Sequence, residues 1–178
     1  MKKNIFTAII LGIALASVSF AQGARSSAGV KTAVVEFTPG PNAPGMTAEA
    51  KRHLQASIAA SLNNTRRFDV YDVRHTRTAS QPDLASVNGT STAAAVRVGK
   101  QLGVNYVVTG TVVEYNTKGT GTIKFRVVEV ATGKVKYSGE VSEQATMKMT
   151  GNAAAAEMQA KVLKPMVQKL TAALLAEF

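Results

Sequence analysis

The chain has no cysteine, no tryptophan, two histidines and only 11 acidic side chains in 178 residues. Without cysteine no disulfide can staple the fold, and no thiol can act as nucleophile, metal ligand or lipid attachment point. The two histidines, His53 on a helix and His75 in a loop, have no second and third ligand near them in sequence, so surface roles are expected for both. No H-E-x-x-H, G-x-S-x-G, G-x-x-x-x-G-K-S/T or EF-hand spacing occurs. The nearest imitation of a phosphate loop, Gly119-Thr120-Gly121, lies in a hairpin with no helix after it. These absences exclude the common hydrolytic, redox and phosphoryl-transfer chemistries. The expectation is a protein that is not an enzyme, with no cofactor, no metal and no small-molecule substrate.

Long hydrophobic runs are equally scarce. The one at Ile5–Ala16 is shorter than the roughly 20 apolar residues of a spanning helix. It follows Lys2 and Lys3 and precedes Ser19-Phe20-Ala21, which places small residues at the −3 and −1 positions of a cut before Gln22. Residues 1–21 therefore read as a cleaved secretory signal, 22–30 as a flexible lead and 31–178 as one domain. The mature chain carries no transmembrane segment on this reading and belongs in the periplasm or cell envelope. The formal charge is +10, and removing Lys2 and Lys3 lowers it by two. Lipid headgroups, acidic envelope polymers, an acidic protein face or nucleic acid are all compatible with that sign. The cations are scattered from Lys31 to Lys169 with no run of five, as in an ordinary solvated surface.

Along the domain, "KTAVVEF" (31–37) is a nearly continuous apolar run, expected as a central strand. The segment "TPGPNAPGM" (38–46) holds three prolines and two glycines, which predicts a loop that neither ladder nor helix can cross. A helix capped by Thr47 should bury Leu54, Ile58 and Leu62. "RRFDVYDV" (66–73) reads as a second strand with a wet edge. The region 74–92, rich in Ser, Thr, Asn, Gln and Gly, reads as a mobile loop, and 91–103 as a short helix stopped by Gly103. Strands follow at 104–115, 122–130 and 134–142. A last helix from Asn152 should bury Met158, Val162, Met166 or Val167, Leu170 and Leu174, with a bend near Leu163 caused by Pro165. The order β-α-β-α-β-β-β-α defines an α/β fold, a mixed sheet of about five strands with helices packed on it.

The connection Ala131-Thr132-Gly133 suits a type I turn with a bulge, which places Glu129 opposite Val135. In that register Ile123, Phe125, Val127, Val135, Tyr137 and Val141 share an apolar face. Lys124, Arg126, Lys134, Lys136 and Glu140 share the opposite one. A solvated basic face and a docking surface for an acidic partner both fit this clustering. The candidate partner-binding residues are Lys124, Arg126, Lys134 and Lys136, together with Pro39, Pro41 and Pro44, whose stiffness lowers the entropy lost on docking. Base stacking on RNA or DNA would need exposed aromatics among the cations, whereas Phe125 and Tyr137 fall on the core face.

The stretches "TAAAVRVGKQLGVNYVVTGTVVEY" (92–115) and "IKFRVVEVATGKVKYSGEV" (123–141), with "KTAVVEF" and "SLNNTRRFDVYD" before them, resemble the core of the curli-secretion CsgG family. The resemblance covers most of 31–141 and implies an α/β envelope protein without enzymatic activity. Channel-forming members carry two long amphipathic hairpins that build a barrel. Here "NTKGTG" (116–121) and "SEQATMKMTGN" (142–152) stand in those places, while one membrane strand alone needs roughly 9–11 residues. The chain is therefore more similar to pore-less relatives, the LpoB-type periplasmic domains among them. The resemblance implies a non-catalytic exported adaptor that binds a secretion, surface-polymer or wall-synthesis complex. A direct activator of a peptidoglycan synthase is the alternative it leaves open, as is a homo-oligomer. A binder of an anionic polymer or nucleic acid stands further off.

Overall fold

The computed structural model describes residues 29–84, 91–148 and 150–178. The expected signal (1–21) and nearly all of the expected lead lie outside the described residues. The fold class is as the sequence predicts: a mixed sheet with helices packed on it. β1 (Val30–Val34) lies between β3 (Phe68–Val70) and β4 (Tyr106–Asn116), parallel to both, and β5 (Thr120–Glu129) and β6 (Val135–Gln144) continue antiparallel. Val30, assigned by sequence to the flexible lead, is already the first residue of β1.

The sixth strand corrects the reading of 38–46. β2 (Thr38–Asn42) runs parallel to β4, pairing Thr38 with Thr111 and Pro39 with Val112. Prolines are tolerated because, among the described residues, β4 is the only strand β2 pairs with. Pro39 and Pro41 are two residues apart, so both nitrogens fall on the same side, and the free edge asks for no N–H there. β1 and β2 are two pieces of one path along β4. Between them the Gln55 side chain, fully buried, donates to Val34 O at 2.8 Å, while Lys51 and Arg77 hold Glu36 at 3.0 and 3.8 Å.

α1 (Ala48–Asn64) begins as expected, with the Thr47 hydroxyl accepting from Ala50 N at 3.2 Å. Leu54, Ile58 and Leu62 are fully buried against the first face of the sheet, where Phe37, Val108, Ile123 and Phe125 meet them. The loop expected from Arg74 is instead α2 (Val73–Leu84) through its first part. The Asp72 carboxylate opens that helix by accepting from Arg74 N and His75 N, at 2.9 and 3.0 Å. The His75 N–H is the main reason that carboxyl sits below its ordinary range. Apolar periodicity misses α2 because its buried stripe is Thr76, Ala79 and Ser80, whose hydroxyls bond back to Asp72 O and Arg77 O. Residues 85–90 of the expected loop lie outside the described residues.

α3 (Thr92–Leu102) follows the sequence reading, with Ser91 as its cap and Gly103 in the left-handed conformation at its end. With α2 it covers the second face, over Ala33, Val35, Val107, Val128 and Val130. On the first face the last helix is α4 (Asn152–Met158), then a π-helical turn (Gln159–Leu163), then α5 (Lys164–Glu177). The π-turn is how the chain passes Pro165, which has no N–H to give to the carbonyl four residues back. Both Met166 and Val167 are buried, where the sequence offered one or the other.

The β5–β6 register is the expected one from Thr120 to Val127, pairing Ile123 with Val141 and Val127 with Tyr137. A bulge then pairs Val128, not Glu129, with Val135, and Gly133 takes the positive φ of the turn. Val135 consequently leaves the core and is 45 % exposed.

A candidate docking face

The second face of the sheet is covered by α2 and α3 only over its valine-rich end. Beyond that end the side chains of β4, β5 and β6 stand in cross-strand rows. Thr109, Arg126 and Ser138 form the first row, and Thr111, Lys124 and Glu140 the second. Glu114, Thr122 and Ser142 form a third, with the Glu114 carboxylate accepting from Asn116 Nδ2 at 2.8 Å. The alternation that buries Val108, Ile123, Phe125 and Val127 on the first face puts these polar residues on the other.

Two of the rows are internally satisfied. Lys124 Nζ lies 3.5 Å from Glu140 Oε2, Thr111 shares a 3.3 Å hydroxyl contact with Thr38, and Thr122 shares one of 3.1 Å with Ser142. The Lys124–Glu140 pair is solvated, with side chains 63 % and 51 % exposed, so it adds little stability. The Arg126 row is different. Thr109 is buried and its Oγ1 has no hydrogen-bond partner, and Arg126 Nε, also buried, has none. A shallow depression of about 330 Å³ lies here, lined by Thr111, Lys124, Arg126, Ser138 and Glu140 among others.

Of the seven sequence candidates, Lys124 and Arg126 come together in this depression. Lys134 sits in the turn before β6 and Lys136 at the bulge, and neither lines it. The slip in register separates them from the rows that sequence pairing put them in. Pro39 and Pro41 stand exposed on β2 and Pro44 exposed in the turn that follows, and none of the three lines the depression. Thr109 and Ser138 were missed. The signal for Thr109 was present in "VVTGTVV" (107–113), where two threonines two apart among valines mark a polar stripe on an otherwise apolar strand.

Elsewhere the chemistry is sparse. His53 is exposed and contacts Ser57 at 3.4 Å, and His75 is exposed beside Asp72 at 3.1 Å. Among the described residues no group of three or more His, Asp or Glu side chains could hold a metal, and no helix is long and apolar enough to cross a membrane. A second cleft, of about 340 Å³, lies where the turn before α1 meets the end of β4 and α4. Tyr115 lines it, almost fully buried, and that burial pushes its phenol up to about 12.

No family model matches the chain, and no curated protein matches it in sequence. Solved structures do match. Lipoprotein GNA1162 from Neisseria meningitidis superposes with a TM-score of 0.54 at 20 % identity, over 74 % of this chain and 91 % of that one. A PelC dodecamer from Paraburkholderia phytofirmans gives 0.51 at 14 % identity, over 80 % and 88 %. The NMR structure of Escherichia coli LpoB gives 0.51 at 17 % identity, over 64 % of this chain and 57 % of that one. At such identities the likeness is one of fold, and the LpoB-like α/β fold is the common ground.

Proposed function

We propose that this chain is a pore-less member of the CsgG-like group, exported to the periplasm, which serves the cell envelope as a non-catalytic adaptor. It acts by binding a protein partner on the open face of β4, β5 and β6. The observation that carries this reading is the uncovered polar end of the second face. The rest of the sheet is packed on both sides, and a soluble adaptor needs one wall left free for a partner. Similarity to a lipoprotein and to LpoB supports an envelope setting, and the dodecameric state of PelC supports assembly into a homo-oligomer.

The likeness to LpoB favours a second reading, direct stimulation of a peptidoglycan synthase. One experiment separates the two. Purified chain is added to a purified synthase, and glycan polymerisation and complex composition are followed together. Faster turnover supports the activator. Unchanged turnover with a new stable complex supports the adaptor, and neither effect with any envelope assembly would sink both. Light scattering without detergent adds the assembly number. N-terminal sequencing of the exported chain tests the cut before Gln22.

A further inference from the structure

The three rows of the open face differ in one respect. In the second and third rows hydroxyls and charges pair with one another. In the first row the donors have nothing to give to. The Thr109 hydroxyl and Arg126 Nε are both buried and unpartnered, and Arg126 makes no ion pair among the described residues. Ser138, exposed, stands directly across from Arg126 on the other side. Buried polar groups without partners are rare and costly, and two in one cross-strand pair mark the place of a missing acceptor. Among the described residues the only carboxylate lining the depression, that of Glu140, is held by Lys124 one row away.

We infer that Arg126 and Ser138, which line the depression, form a carboxylate-reading subsite that receives an Asp or Glu side chain from an acidic segment of a partner protein. This rests on the docking reading above and names the chemistry it uses. The guanidinium fork offers planar, paired N–H donors that match a carboxylate, and the exposed Ser138 hydroxyl adds a further one. The depression is shallow and its floor is the sheet itself, so it covers one side of a ligand only. The carboxylate therefore arrives on a larger surface that covers the other side. The excess of basic over acidic side chains in the chain favours the same sign of partner.

The test uses a fluorescein-labelled hexaglutamate peptide, titrated with the exported chain at low salt and read by anisotropy. Arg126→Lys keeps the charge and removes the fork, and should weaken binding about tenfold. Ser138→Ala should weaken it about threefold, while Thr109→Val, beneath the depression, should change affinity less than about twofold and melt higher than the parent because an orphan hydroxyl is gone. Lys100→Gln, on α3, removes a charge away from the row and should change affinity less than about twofold. Equal losses for Arg126→Lys and Lys100→Gln, or none for either, would reduce the face to a diffuse positive field and overturn the subsite. Tighter, Arg126-dependent binding of a polyphosphate of equal charge would assign the row to phosphate instead. If Arg126→Lys fails to fold, Ser138→Ala decides alone. Peptide binding with no effect in the synthase and complex assays would leave the subsite standing and remove the adaptor reading.

Discussion

β4 passes through two different environments, and the contrast between them organises the molecule. Its first half, with β1 and β3, lies between α1 on one side and α2 and α3 on the other, and Val107 and Val108 are both buried. Its second half, with β5 and β6, keeps helical cover on one face only. There Val112 is buried while Thr111 looks onto the open side. Thr109 stands at the border, covered like the valines but polar like the open rows. Within one strand, helix cover decides whether alternating residues are packed on both faces or left open on one.

The two halves should answer mutation very differently. Phe37→Ala empties a fully buried ring position under β4 and should cost about 3–5 kcal/mol in urea unfolding. A loss below 1 kcal/mol would mean that the core closes over the gap. Gly99→Val tests the second layer, because a Cβ there would stand 2.3 Å from Val130 Cγ2. Overpacking of this kind should cost about 1–3 kcal/mol, and a neutral result would show that α3 is free to lift.

Tyr115 probes the covered face of the open half. Its folded pKa is raised by burial, so the stability it contributes is complete below pH 10.0 and lost as pH rises toward about 12. The effect is on the order of 2 kcal/mol. Tyr115→Phe should flatten that alkaline decline in a series of urea midpoints, and a decline of unchanged depth would clear the residue. Lys124→Gln is the smallest expected change. Its pair with Glu140 is exposed, so the unfolding midpoint should move by less than about 0.5 kcal/mol. A larger loss would mean that the open rows contribute to folding after all.

How much of this was legible follows the same division. Leu54, Ile58 and Leu62, the apolar face of β5, and the helix ends at Thr47 and Gly103 declare themselves in sequence, because large apolar spacing and cap chemistry are local signals. α2 does not, because it packs through Thr76, Ala79 and Ser80, and small hydroxyl residues look the same in a loop. β2 does not, because proline is read as a breaker unless the edge position of the strand is known. At the candidate docking face the cations Lys124 and Arg126 were legible from alternation. Thr109 and Ser138 depend on cross-strand partners, and the bulge at Val128 moved Lys134 and Lys136 away for a reason no single strand records.

The π-turn before α5 left a mark of a different kind. Met158, Val162, Met166, Leu170 and Leu174 recur at strict intervals of four, and all are buried. At 3.6 residues per turn such a series precesses by about 40° per step, so after four steps a plain α-helix would have carried it roughly 160° around the rod. One wide turn absorbs a residue without rotation and brings the accumulated phase back to about 60°, within the reach of a single contact surface. A strict four-residue beat over this length is thus a phase error that only an inserted residue can correct. The helix keeps time with the sheet because it skips once.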